Sequence, residues 1–134
     1  MMRLKSAAEM VREAKARIEN TSVEQFALEK SENNDLLLID LRESEERQQH
    51  GVIPGSVAIP RGVLEFYADP TSSMHHPEMQ LDRRTILYCA GGGRSALAAD
   101  LLQSMGYKNV AHLEGGFAAW QTAGQPVELH DMWK

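Results

Sequence analysis

Four short apolar runs, spaced by segments of helical character, constrain the fold of this chain more than any other feature. Leu36-Leu-Leu-Ile-Asp40 is uncharged until its closing acid, Thr85 to Cys89 and Asn109 to Leu113 are equally compact, and Val57-Ala58-Ile59 is stopped by Pro60. A continuous apolar run of this length suits a strand buried on both faces of a parallel sheet. Proline, lacking an amide proton, ends the shortest run. Between the runs, Ser22 and Gln25 form a capping box that opens a helix ending near Glu32-Asn33-Asn34. Arg42 to Gln49 reads as a short charged helix, Gly51 to Gly55 as a turn, and Ser95 to Met105 as a helix ended by Gly106. A last helix carries Phe117 and Trp120 on one core-facing side and stops at Gly124 and Pro126. Strands alternating with helices predict an α/β fold with a parallel sheet. Upstream, Leu4, Ala7, Ala8, Val11, Ala14 and Ile18 recur at helical spacing and predict an amphipathic helix on the domain edge. Arg61 to Leu81, with two prolines and the pair His75-His76, reads as a less regular excursion.

In a sheet of this kind ligands bind beyond the carboxyl ends of the strands. Asp40, Cys89 and Glu114 all fall at such ends, and Cys89 is the one cysteine of the 134 residues. A lone cysteine is ordinarily a small buried hydrophobe. Here it stands between a strand and a helix, followed by Ala90, Gly91, Gly92, Gly93, Arg94 and Ser95. The glycines permit left-handed backbone, and such a loop can aim successive amides at one point above a helix N-terminus. The helix end and Arg94 both favour a thiolate, so Cys89 is the expected nucleophile. One cysteine excludes an internal disulfide and a multi-cysteine metal site, and His75-His76 has no third ligand at a suitable spacing. No cofactor is expected.

A content of 43% hydrophobic and 25% charged residues is ordinary for a globular domain. The net charge of −5 and the lack of a basic run argue against nucleic acid or an anionic membrane as partner. The first residues, Met1 to Glu9, hold no apolar core of signal-peptide length, and a cytoplasmic setting is expected.

Taken together and in order, several motifs resemble those of single-domain rhodaneses, a family of sulfurtransferases. These are Leu38-Ile-Asp40-Leu-Arg42-Glu43, Ile53-Pro-Gly-Ser-Val-Ala-Ile-Pro60, Tyr88-Cys89-Ala-Gly-Gly-Gly-Arg94-Ser95, and Leu113-Glu-Gly-Gly-Phe-Ala-Ala-Trp120. The resemblance covers roughly residues 20–128, leaving 1–19 as a helical extension and 129–134 as a tail. It implies a five-stranded, mostly parallel sheet with helices on both sides. It also implies a Cys89 persulfide, formed from a small anionic donor such as thiosulfate and discharged to cyanide or a thiol; a protein persulfide partner fits the same chemistry. One departure is that His50 precedes Gly51 and Val52 fills the position where the family commonly has histidine. His50 is therefore a poor catalytic candidate.

Cysteine phosphatases and arsenate reductases are the nearest rival class. Their cysteine and arginine are separated by five intervening residues, to encircle a phosphoryl group; four residues, Ala90 to Gly93, intervene here. A ring one residue smaller suits a sulfur atom carried on the cysteine. A non-catalytic, partner-binding rhodanese-like module is the other rival, but such modules typically lack the cysteine. Asp40 and Arg42 are read as an ion pair bracing the loop from behind. Arg61 is a candidate anion contact, and Glu114 lies near the site with no assigned role.

Overall fold

The computed structural model describes residues 3–129, so the expected tail lies outside the described residues except for Leu129. Five parallel strands form one sheet in the order β1-β5-β4-β2-β3: Glu19–Thr21 (β1), Leu37–Asp40 (β2), Val57–Ala58 (β3), Thr85–Tyr88 (β4) and Val110–Leu113 (β5). The three central strands are buried along their whole length, as continuous apolar runs require. The sheet is wholly parallel, and the antiparallel pairing of Val52 with Glu128 lies outside it.

Among the described residues, six α-helices accompany the sheet: Ala7–Arg17 (α1), Val23–Glu32 (α2), Ser44–His50 (α3), Leu64–Ala68 (α4), Gly93–Ser104 (α5) and Gly116–Thr122 (α6). Alternate strand residues feed two cores. Leu37, Ile39, Leu87 and Val110 pack with Ala98, Ala99 and Leu102 of α5 on one face. Leu38, Ile86, Tyr88, Ala111 and Leu113 pack with Phe26 of α2 and Phe117 and Trp120 of α6 on the other. The core role read for Phe117 and Trp120 is thus met, with Trp120 tilted against Phe26 at 5.4 Å between ring centres.

Local differences from the sequence reading have local causes. α1 begins at Ala7 because Ser6 caps it, its Oγ accepting the Glu9 amide at 3.1 Å, and Leu4 is left exposed. α3 begins at Ser44 because Arg42 is drawn inward by Asp40. The excursion holds a single 3-10 turn at Arg61–Val63 and then α4. β1 escapes the apolar-run criterion altogether: it is three residues long, and two of them are exposed.

Candidate active site

Cys89 directly follows β4 and is 1% exposed. The turn to α5 is made by Gly92, whose φ of 108° is the one left-handed conformation among the three loop glycines. This narrows the expectation that all three supply such freedom. A Cβ added to Gly91 would meet open space, and one on Gly93 would merely touch Val11 of α1 at 3.8 Å. The Gly92 amide donates to Cys89 Sγ at 3.1 Å, and the thiol lies 3.6 Å from Ser95 Oγ.

From the far side the loop is held by α6. The amides of Phe117 and Ala118 donate to the carbonyls of Cys89 (2.8 Å) and Ala90 (3.0 Å). So close an approach needs glycine at 116, where φ is 62° and a Cβ would fall 2.6 Å from the Cys89 oxygen. Gly116 is thus a site residue that the Gly-Gly signature carried without a reason attached.

Asp40 and Arg42 form a buried bidentate pair, with Arg42 Nε and Nη2 donating to the carboxylate at 3.1 and 2.9 Å. The Tyr88 hydroxyl donates to the same carboxylate at 2.6 Å, and burial pushes that phenol well above its usual pKa. The Arg42 guanidinium lies 4.2 Å over the Phe117 ring. The pair therefore stands behind the element that grips the loop.

Arg94 does not face the sulfur alone. Its two terminal nitrogens donate to both oxygens of Glu46 on α3 at 2.8 and 2.9 Å. Those hydrogen bonds pull the Glu46 carboxyl down to about 2. Part of the cationic charge expected at the loop is thus already balanced. A cavity of about 250 Å³ opens beside Ala90, lined by Arg42, Glu46, His50, Phe117, Ala118 and Gln121. The larger groove, about 770 Å³, lies between α1 and α5, and no residue from Cys89 to Gly93 lines it. Arg61 lines that groove and pairs with Glu65 at 3.0 Å, and it does not line the cavity beside Ala90. His75 and His76 bond locally, to the Met79 carbonyl and the Glu78 amide.

The sequence reading missed His112. It is fully buried on β5, its Nδ1 is 2.9 Å from Ser95 Oγ, and its Nε2 is 2.8 Å from Asn20 Oδ1. Burial pulls its pKa below the ordinary histidine value, against the opposing pull of Glu114. A histidine inside an otherwise apolar run, Ala111-His112-Leu113, was the available signal.

A family model described as a rhodanese-like domain matches residues 22–123. The chain is 32% identical to a protein named sulfurtransferase from Allochromatium vinosum, over 72% of this chain and 82% of that one. It is 30% identical to the thiosulfate sulfurtransferase GlpE of Pseudoalteromonas translucida, over 72% of this chain and 83% of that one. A solved structure from Rhodopseudomonas palustris, of a protein of unknown function described as a possible tyrosine phosphatase, superposes with a TM-score of 0.89 at 44% identity. That match covers 96% of this chain and 98% of the other.

Proposed function

The chain belongs to the rhodanese family, and on that footing we propose that it is a sulfurtransferase working through a Cys89 persulfide. The observation that carries this reading is the cysteine sulfur at the end of β4, held 3.1 Å from the Gly92 amide at the start of α5. The Cys89 thiolate attacks the outer sulfur of a donor such as thiosulfate. The donor's S–S bond breaks and sulfite leaves with the bonding pair. Gly92 and the dipole of α5 stabilise the negative persulfide that remains. Cyanide or a thiol then takes the outer sulfur and restores the thiolate. The same chemistry admits a protein persulfide as donor. Ala90, Gly91, Gly93, Arg94 and Ser95 shape the mouth and floor of this site, and Asp40 with Arg42 braces it through Phe117.

The description of the Rhodopseudomonas relative raises phosphatase chemistry. That chemistry wants a guanidinium free to hold phosphoryl oxygens, whereas Arg94 is occupied by both oxygens of Glu46. The spacing of four residues between Cys89 and Arg94 points the same way.

Intact mass after incubation with thiosulfate tests the proposal. Wild type gains one sulfur atom that cyanide removes, Cys89→Ser gains none, and an aryl phosphate is not turned over. Phosphate release without any persulfide would overturn it.

A further inference from the structure

Beneath the loop, three polar side chains form a line from the sulfur into β1 that the transfer step alone leaves unexplained. His112 is in register beside Leu87, two residues before Cys89, so it lies on the same face of the sheet. A Cβ on Gly92 would lie 3.6 Å from its Cε1.

Asn20 decides which ring nitrogen holds the proton. Its Nδ2 donates to the carbonyls of Lys15 (3.0 Å) and Ile18 (3.2 Å), which turns Oδ1 toward His112 Nε2. An amide oxygen only accepts, so Nε2 carries the hydrogen and Nδ1 offers a lone pair to Ser95. The Ser95 hydroxyl has two acceptors in reach, Nδ1 at 2.9 Å and the Gly92 carbonyl at 3.3 Å; it donates to the nearer, Nδ1, and its own lone pair faces the Cys89 thiol.

We propose that His112 is a positioning residue that takes up the Cys89 proton through Ser95, and that the segment α1–β1 sets its tautomer and charge. The proposal rests on the nucleophilic role given to Cys89 above. The S–H proton moves to Ser95 Oγ while the Ser95 proton moves to His112 Nδ1. The S–H bond and one O–H bond break, a new O–H bond and an N–H bond form, and the sulfur keeps its electron pair. The thiolate is then met by the Ser95 hydroxyl and the Gly92 amide. Burial and the Lys15 cation oppose the imidazolium, and Glu114 Oε2, 3.5 Å from Nε2, supports it while it carries the transferred proton. Glu114 is itself paired with Lys15 of α1, while Arg94 on α5 is turned to Glu46. Lys15 and Asn20 precede the family-matched residues 22–123, whereas Ser95, His112 and Glu114 lie within them, so the line joins the shared domain to the segment before it.

The test is the pH dependence of Cys89 alkylation by iodoacetamide, which reads thiolate whatever the thiol goes on to do. Asparagine at 112 can accept from Ser95 but cannot take its proton. His112→Asn and Ser95→Ala should each raise the alkylation midpoint by about one pH unit, slowing the reaction about tenfold at pH 7. The double variant should be no slower than either single one, because both cut one path. Glu114→Gln, at a partly exposed position, should raise the midpoint by less. A folded His112→Asn with the wild-type profile, or additive effects in the double variant, would overturn the proposal. Should both buried variants fail to fold, an unmoved midpoint in Glu114→Gln overturns it alone. The mass measurement on wild type keeps the two readings apart. Shifted profiles without a persulfide leave the relay standing and remove sulfur transfer, and a persulfide with unmoved profiles does the reverse.

Discussion

At the scale of single residues, the loop separates one glycine that is required from one that is not. Gly92 sits at φ 108°, and Gly91 has no heavy atom near the position of an added Cβ. Gly92→Ala should cost about 1–2 kcal/mol in stability and blunt alkylation by moving the amide off Sγ. Gly91→Ala should change stability by less than about 0.5 kcal/mol. Urea denaturation distinguishes them, and equal losses would contradict the assignment. Glu46 offers a second test. Its carboxyl is lowered to about 2, chiefly by Arg94, so the pair contributes stability above the ordinary carboxylate range and loses it as pH falls toward 2. Wild type should therefore exceed Glu46→Gln in stability at pH 7, with the gap closing below about pH 5. The same variant frees Arg94 and should lower the KM for thiosulfate. The position of Cys89 was legible in the sequence, because strand, glycine loop and helix each leave local marks. Glu46 as partner of Arg94 was not, because that pairing joins residues 48 apart in sequence and only the fold brings them together.

Among the elements, the central strands and the helices flanking them were readable from apolar runs and caps, and Ser22–Gln25 closes as a capping box should. β1 was not readable from its own residues. Glu19 and Asn20 are exposed, and pairing with β5 through Ala111 to Leu113 is what makes the segment a strand. Its consequence reaches the site, since β1 brings Asn20 to His112. The grip of α6 on the loop is an element-scale property as well. Gly116→Ala would drive a methyl group into the Cys89 and Ala90 carbonyls, 2.6 and 2.7 Å away. It should cost more than Gly92→Ala, above about 2 kcal/mol, and free the loop. A thermal midpoint within a degree of wild type would contradict that picture. Ala14, fully buried on α1, marks where the extension meets α5, and Ala14→Leu should overpack that contact by about 1–3 kcal/mol.

For the whole molecule the net charge of −5 bears on an anionic donor. Glu43, Glu45 and Glu46 all sit at the start of α3, and Glu46 lines the cavity beside Ala90. The field at the mouth should oppose the approach of thiosulfate, so kcat/KM should rise with ionic strength as that field is screened. Ala90→Arg places a cation there, so it should raise kcat/KM at low salt and flatten or reverse the slope. Steady-state rates across a salt series decide this, and a wild-type value that falls with salt would contradict it. Among the described residues no helix is long and apolar enough to cross a membrane. The order of the sheet has a last consequence, for self-association. Its two outermost strands are its shortest, three residues in β1 and two in β3, and Pro60 follows close behind the second. An unpaired edge recruits another chain in proportion to the ladder it can offer. Here the longest strands are enclosed, and a neighbour seeking to extend the sheet would find a template too brief to nucleate on.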